Sequence, residues 1–183
     1  MVNVTVESTP NPATKKFLPG GPVLVEGTAN FASPDAAEAS PLARCLFGIA
    51  GVRGVYFGSD FISVAKGEDA DWPDLEPAVT SAISAHFEAG LPMVAEAKEK
   101  KDDTEVEDEV VARIRELIDT QIRPSVALDG GDIVYRSFDD GIVKVSLQGA
   151  CAGCPSSAGT LKMGVANLLR HYVSEVRAVE AAD

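Results

Sequence analysis

Over residues 142–147 and into Gln148, Val143, Val145 and Leu147 alternate with Lys144, Ser146 and Gln148. A period of two sends the two sets to opposite faces, which predicts a half-buried strand. Residues 160–173 switch to a helical period, with Leu161, Val165, Leu168, Leu169, Tyr172 and Val173 on one face. Earlier, Val110, Ile114, Leu117 and Ile118 line a helix predicted over 106–122, which Pro124 and Asp129-Gly130-Gly131-Asp132 should end. A strand over 133–138 and the turn Asp139-Asp140-Gly141 complete a hairpin with 142–147. Residues 174–179, with Val176 and Val179, add a last strand.

The first half reads differently. Residues 2–6 alternate as a strand, which Thr9-Pro10-Asn11-Pro12 ends because neither proline can donate to a ladder. Short strands are predicted at 15–18 and 23–25. Ser40-Pro41 opens a helix through Leu42, Leu46, Phe47 and Ile49, with serine as cap and proline in the first turn. Strands over 52–57 and 61–65 flank Gly58-Ser59-Asp60, a hairpin signal. Leu75, Val79, Ile83 and Phe87 recur at spacings of four along a helix over 72–88.

Between the halves the pattern lapses. Residues 95–108, AEAKEKKDDTEVED, are dominated by charge and read as a solvated linker merging into the next helix. The fold class is therefore α+β, with two small domains at 1–92 and 106–183 and a charged linker at 93–105. The second has the order α-β-β-α-β, a three-stranded sheet with two helices on one face.

Charge narrows the partners. The 183 residues carry a net charge of −12, which argues against nucleic acid and against anionic membrane surfaces. Two copies repel, so a homodimer needs something to hold it. No apolar run is long enough to span a bilayer. The first residues show neither a signal peptide's apolar core nor an Arg-rich, acid-poor transit sequence. A cytoplasmic protein of bacterial type is expected, or an organellar matrix protein if the chain is supplied trimmed. Three cysteines make a poor disulfide framework, so a reducing compartment fits.

The chemistry concentrates in Gly149-Ala150-Cys151-Ala152-Gly153-Cys154-Pro155-Ser156-Ser157. The pair lies on a loop between strand and helix, with Pro155 suited to the helix's first position. Helix N–H groups and the dipole's positive end favour thiolate over thiol, so two poised thiolates are expected. A CxxC serves iron–sulfur sites, half zinc sites and dithiol redox enzymes alike. Ligand counting sharpens this, because iron–sulfur clusters commonly take four thiolates and structural zinc takes four ligands. One chain supplies two, and two copies related by a two-fold axis supply four. A thioredoxin-like enzyme would place its motif after an early strand instead. Cys45, inside an apolar helical run, reads as a small buried hydrophobe. His86 and His171 read as helix-surface or core-edge residues, Trp72 as packing, and Asp129, Asp132, Asp139 and Asp140 as turn chemistry. Gly130-Gly131 reads as a helix stop and strand entry.

The segment LDGGDIVYRSFDDGIVKVSLQGACAGCPSSAGTLKMGV resembles the C-terminal domain of the NifU family, the Nfu-type iron–sulfur scaffold and carrier proteins. DGGD, the hairpin, GACxGCPSS and TLK carry the likeness. TPNPATKKFLPG and SPLARCLFGIAGVRGVYFGSDFISVAK resemble the N-terminal Nfu domain. The resemblance implies that Cys151 and Cys154 bind a [4Fe–4S] cluster, or a [2Fe–2S] cluster, shared between two protomers. It implies a carrier without catalytic residues; the net charge of −12 adds the expectation of an apo monomer, with a homodimer once the cluster is bound. Upstream cluster-assembly proteins would load it and apo-proteins would receive from it. Gly149 and Gly153 would let the backbone approach the cluster, and N–H groups near Ser156 and Ser157 would offset its charge. The N-terminal domain would serve partner recognition or control of dimerisation.

Overall fold

The computed structural model describes residues 2–94, 108–154 and 157–182. In the N-terminal half, β1 (Thr5–Ser8), β2 (Thr14–Leu18), β3 (Ala29–Phe31), β4 (Val52–Phe57) and β5 (Ile62–Lys66) form one antiparallel sheet in the order β1-β2-β5-β4-β3. Phe17, Ile62, Val64, Val55, Phe57 and Phe31 share one of its faces by register. Helices α1 (Pro41–Phe47) and α2 (Trp72–Glu88) cover that face with Leu42, Leu46, Leu75, Val79 and Ile83. Ser40 caps α1 as expected, accepting from the Ala43 N–H at 3.1 Å.

The C-terminal half is α3 (Glu109–Leu117), a π-turn (Ile118–Ile122), α4 (Arg123–Leu128), β6 (Gly131–Asp139), β7 (Ile142–Gly149), α5 (Ser157–Tyr172) and β8 (Ala178–Ala181). Strands β6 and β7 form the expected hairpin, whose turn puts Asp140 and Gly141 at positive φ (49° and 81°). Strand β8 returns across α5 to pair parallel with β7. Ile114, Leu117, Ile118, Ile133, Val143, Val145, Leu169 and Val173 belong to a second core.

Four local readings are corrected. The first strand lies at Thr5–Ser8, not 2–6. Residues 23–25 are not a strand: the Val23 and Leu24 N–H groups both donate to the Ser59 carbonyl (2.7 and 3.2 Å), and the edge strand is β3 instead. Pro124 does not end the first helix of the C-terminal half. The π-turn re-registers the chain, and Pro124 sits in the first turn of α4, where its missing N–H costs nothing. The last strand begins at Ala178 rather than 174, because residues 173–176 turn out of α5 through a bond from Val176 N–H to the Val173 carbonyl. The linker from residue 95, the helix start at 106–107 and the helix entry at 155–156 lie outside the described residues.

The second face of the N-terminal sheet carries Thr14 and Lys16 on β2, Ser63 on β5 and Tyr56 on β4, aligned by register. These polar residues are buried, because the C-terminal half packs across them. Ser63 Oγ donates to the Gly130 carbonyl at 2.5 Å. Lys16 Nζ donates to the carbonyls of Ala127 and Leu128 at 3.2 and 3.4 Å, at the carbonyl end of α4.

Candidate functional site

The cysteine loop begins where β7 ends. Ala150 N–H donates to the Gly130 carbonyl at 3.0 Å, Cys151 N–H to Gln148 at 3.3 Å, and Ala152 N–H to Gly149 at 3.1 Å. Gly149 and Gly153 stand at φ 61° and 67°, left-handed values that let the chain double back around the pair. A Cβ at Gly131 would collide with Cys151 Sγ, so the second glycine of DGGD makes room for the sulfur.

Both cysteines are covered: Cys151 is 6% and Cys154 4% exposed. Burial first, and then the charges of Asp129, Cys154 and Asp132, push the Cys151 thiol up to about 12. This corrects the expectation of poised thiolates. At neutral pH desolvation and neighbouring carboxylates hold Cys151 as a thiol in this arrangement. The residues at which a helix N-terminus was expected to counter this, Pro155 and Ser156, lie outside the described residues.

Sequence reasoning missed Asn11. It lies in the Thr9-Pro10-Asn11-Pro12 turn, is 5% exposed, and reaches across to the loop. Its Nδ2 donates to the carbonyls of Ala150 (3.1 Å) and Ala152 (3.2 Å), on either side of Cys151. Its Oδ1 accepts from Ala13 N–H at 3.0 Å, an Asx turn. An asparagine between two prolines signalled only the turn.

Asp132 is more than turn chemistry. Its carboxylate is buried and takes Arg123 Nε (2.8 Å) and Nη2 (2.9 Å) in a two-pronged pair. Ile133 N–H (2.8 Å) and Thr28 Oγ1 from the other half (3.2 Å) add to it. Burial and Asp132 hold the Tyr56 hydroxyl well above the usual phenol range. Cys45 is exposed rather than buried, because α1 turns Leu42, Ala43 and Leu46 inward. His86 is buried, and burial lowers its pKa. His171 is exposed and sits edge-on to Tyr172. Trp72 packs beside Phe17 and donates to the Pro12 carbonyl at 3.0 Å. Among the described residues, no cluster of three or more His, Cys, Asp and Glu side chains could hold a metal ion. Nor is any helix among them long and apolar enough to cross a membrane.

Residues 4–90 match the family model described as scaffold protein Nfu/NifU N terminal, and residues 114–180 match the NifU-like domain. The NFU1 iron-sulfur cluster scaffold homolog of Homo sapiens, named mitochondrial, is 50% identical over 179 residues. The match covers 97% of this chain and 70% of the human one. The same-named protein of Drosophila willistoni is 50% identical over 181 residues, covering 97% of this chain and 62% of its own. The chain thus spans less than two thirds of the fly relative. The solution structure of a NifU-like protein from Saccharomyces cerevisiae aligns with TM-score 0.49 at 18% identity, covering 53% of this chain and 87% of that one. The mitochondrial names of the relatives overturn the expectation of a bacterial-type cytoplasmic protein and point to an organellar one. Acidity and a low cysteine count suit either compartment, so they could not separate the two. With a match to each half and 50% identity to the human protein along nearly all its length, the chain belongs to the Nfu family of iron–sulfur cluster scaffold proteins.

Proposed function

We propose that this chain is a carrier, not an enzyme, and that Cys151 and Cys154 are its cluster ligands. Each copy gives two thiolates, and two copies close a four-ligand site around a [4Fe–4S] cluster. A [2Fe–2S] cluster takes the same four thiolates. The observation that carries this reading is the incomplete donor set. The fold brings together two thiols, and no metal cluster of three or more ligands exists among the described residues. Binding must release the thiol protons, so cluster affinity rises with pH. A thiol held at about 12 is a poor attacking group near neutrality, which counts against a dithiol oxidoreductase. Nothing in the geometry favours a zinc staple.

The chain divides into an N-terminal domain at 1–92, a linker at 93–105 and a cluster-binding domain at 106–183. The apo protein is a monomer, in keeping with its charge of −12, and the cluster holds the homodimer together. Upstream assembly proteins load it and apo-proteins receive from it, in an organelle, as the names of the relatives suggest. Anaerobic reconstitution with iron and sulfide tests this. Visible absorbance and a shift to dimer on size exclusion are expected together. A cluster that survives Cys151→Ser, or one bound by a strict monomer, would sink the reading.

A further inference from the structure

We infer that the N-terminal half is a cover acting on the cysteine pair of its own chain, held by Asn11, and that the halves part before a cluster is shared between copies. The second clause rests on the function proposed above. The first stands on geometry alone.

A site completed by a second copy must present its sulfurs outward. Here Cys151 and Cys154 are 6% and 4% exposed, Cys151 resting against the core of its own half. The loop that carries them is gripped at two carbonyls by one side chain of the other half. Asn11 spends every polar atom of its side chain: Oδ1 on its own Asx turn and Nδ2 on the carbonyls flanking Cys151. A residue serving only its turn would need Oδ1 alone. The contacts around it are of the same kind. Ser63 meets Gly130, Lys16 meets the end of α4, and Thr28 meets Asp132.

The seam is not a continuation of a core. The two apolar clusters have no member in common among the described residues. A cleft of about 210 Å³ lies between the halves, lined in part by Thr14, Tyr56, Ser63, Gly149 and Ala152. Thr14 Oγ1 is buried and makes no hydrogen bond. Interiors that are meant to stay closed are packed more completely than this. Directional bonds to backbone carbonyls make a docking surface that can be left, because water replaces each bond in turn.

The test uses the full apo chain carrying Cys45→Ser, which removes the exposed thiol. Alkylation of Cys151 and Cys154 by iodoacetamide is timed by mass spectrometry against the same protein in denaturant. Asn11→Asp keeps the Oδ1 turn and removes both donors to the loop. Lys16→Met keeps the aliphatic stem and removes the donor to α4. Labelling of the parent at least a hundredfold slower than in denaturant is expected, with at least a tenfold acceleration in Asn11→Asp and a smaller one in Lys16→Met. Labelling of the folded parent at the denatured rate would overturn the cover, as would unaltered labelling in both folded variants. If Asn11→Asp unfolds the N-terminal half by circular dichroism, Lys16→Met decides alone. Cluster uptake on reconstitution is then compared. Faster uptake in the variant with faster labelling supports the required parting. Equal uptake overturns that clause and leaves the cover. Faster labelling with no uptake in any form overturns the carrier function and again leaves the cover.

Discussion

The two faces of the N-terminal sheet are both covered, yet different forces hold their covers in place. On one face, Phe17, Ile62, Val64 and Phe57 meet the apolar sides of α1 and α2. Each fully buried side chain of this kind contributes about 1.5–3 kcal/mol. On the other, Lys16, Ser63 and Tyr56 meet backbone carbonyls and a carboxylate of the C-terminal half, with Thr14 buried beside them. Each such bond nets only about 1 kcal/mol, while leaving its buried partner unmade costs more. The first face is fixed by area and the second by matching. Burial alone does not say whether a surface is core or joint.

The largest effects should fall on the apolar face and its counterpart. Ile83→Ala and Leu169→Ala each remove a fully buried side chain from a different core. Each should cost about 2–5 kcal/mol. Calorimetry should show each lowering the transition of its own half. A uniform loss in both halves would erase the distinction between core and joint.

Arg123→Ala should come next. It leaves the buried Asp132 carboxylate with Thr28, Tyr56 and one backbone N–H but without its guanidinium. A loss of about 3 kcal/mol is expected by urea unfolding, partly recovered in Arg123→Lys. Ser63→Ala should cost about 1–2 kcal/mol, because the Gly130 carbonyl keeps its bond from Ala150 N–H but loses the hydroxyl. It should change the coupling between the two melting transitions more than either transition itself.

The smallest effect at neutral pH belongs to Cys151. Its folded value, about 12, lies above the ordinary thiol range near 8.5. The unfolded or parted chain therefore loses its proton first as pH rises. The stability it contributes is complete below about pH 8.5 and declines from there towards about 12. Cys151→Ala should flatten that alkaline decline and leave the neutral-pH curve otherwise shaped as before. An unchanged alkaline slope would show that the sulfur is wetter than its surroundings suggest.

Much of this was legible beforehand because it is local. The β4–β5 and β6–β7 hairpins follow from period-two runs around turn residues, and α2 from apolar positions four apart. The place of Cys151 and Cys154 between strand and helix was equally plain. What failed to show is what depends on distant parts of the chain. Thr14 and Lys16 lie in the polar run Thr14-Lys15-Lys16, which carries no sign of burial, and only the packing of the C-terminal half buries them. Asn11 looked like turn chemistry because its two other partners lie 139 and 141 positions away. Pro124 looked like a stop because the π-turn that accommodates it has no signature in apolar spacing. The thiols looked activated because a helix N-terminus is visible in sequence, whereas the burial that opposes it is not.

The polar second face of the sheet has a consequence for solubility. Apart from Tyr56, Ala65 and Leu18, what it shows when bared is hydroxyls and an ammonium, which water solvates readily. Exposing such a surface adds little heat capacity and offers few sticky contacts to other chains. A molecule of charge −12 that opens along this line stays dispersed while open.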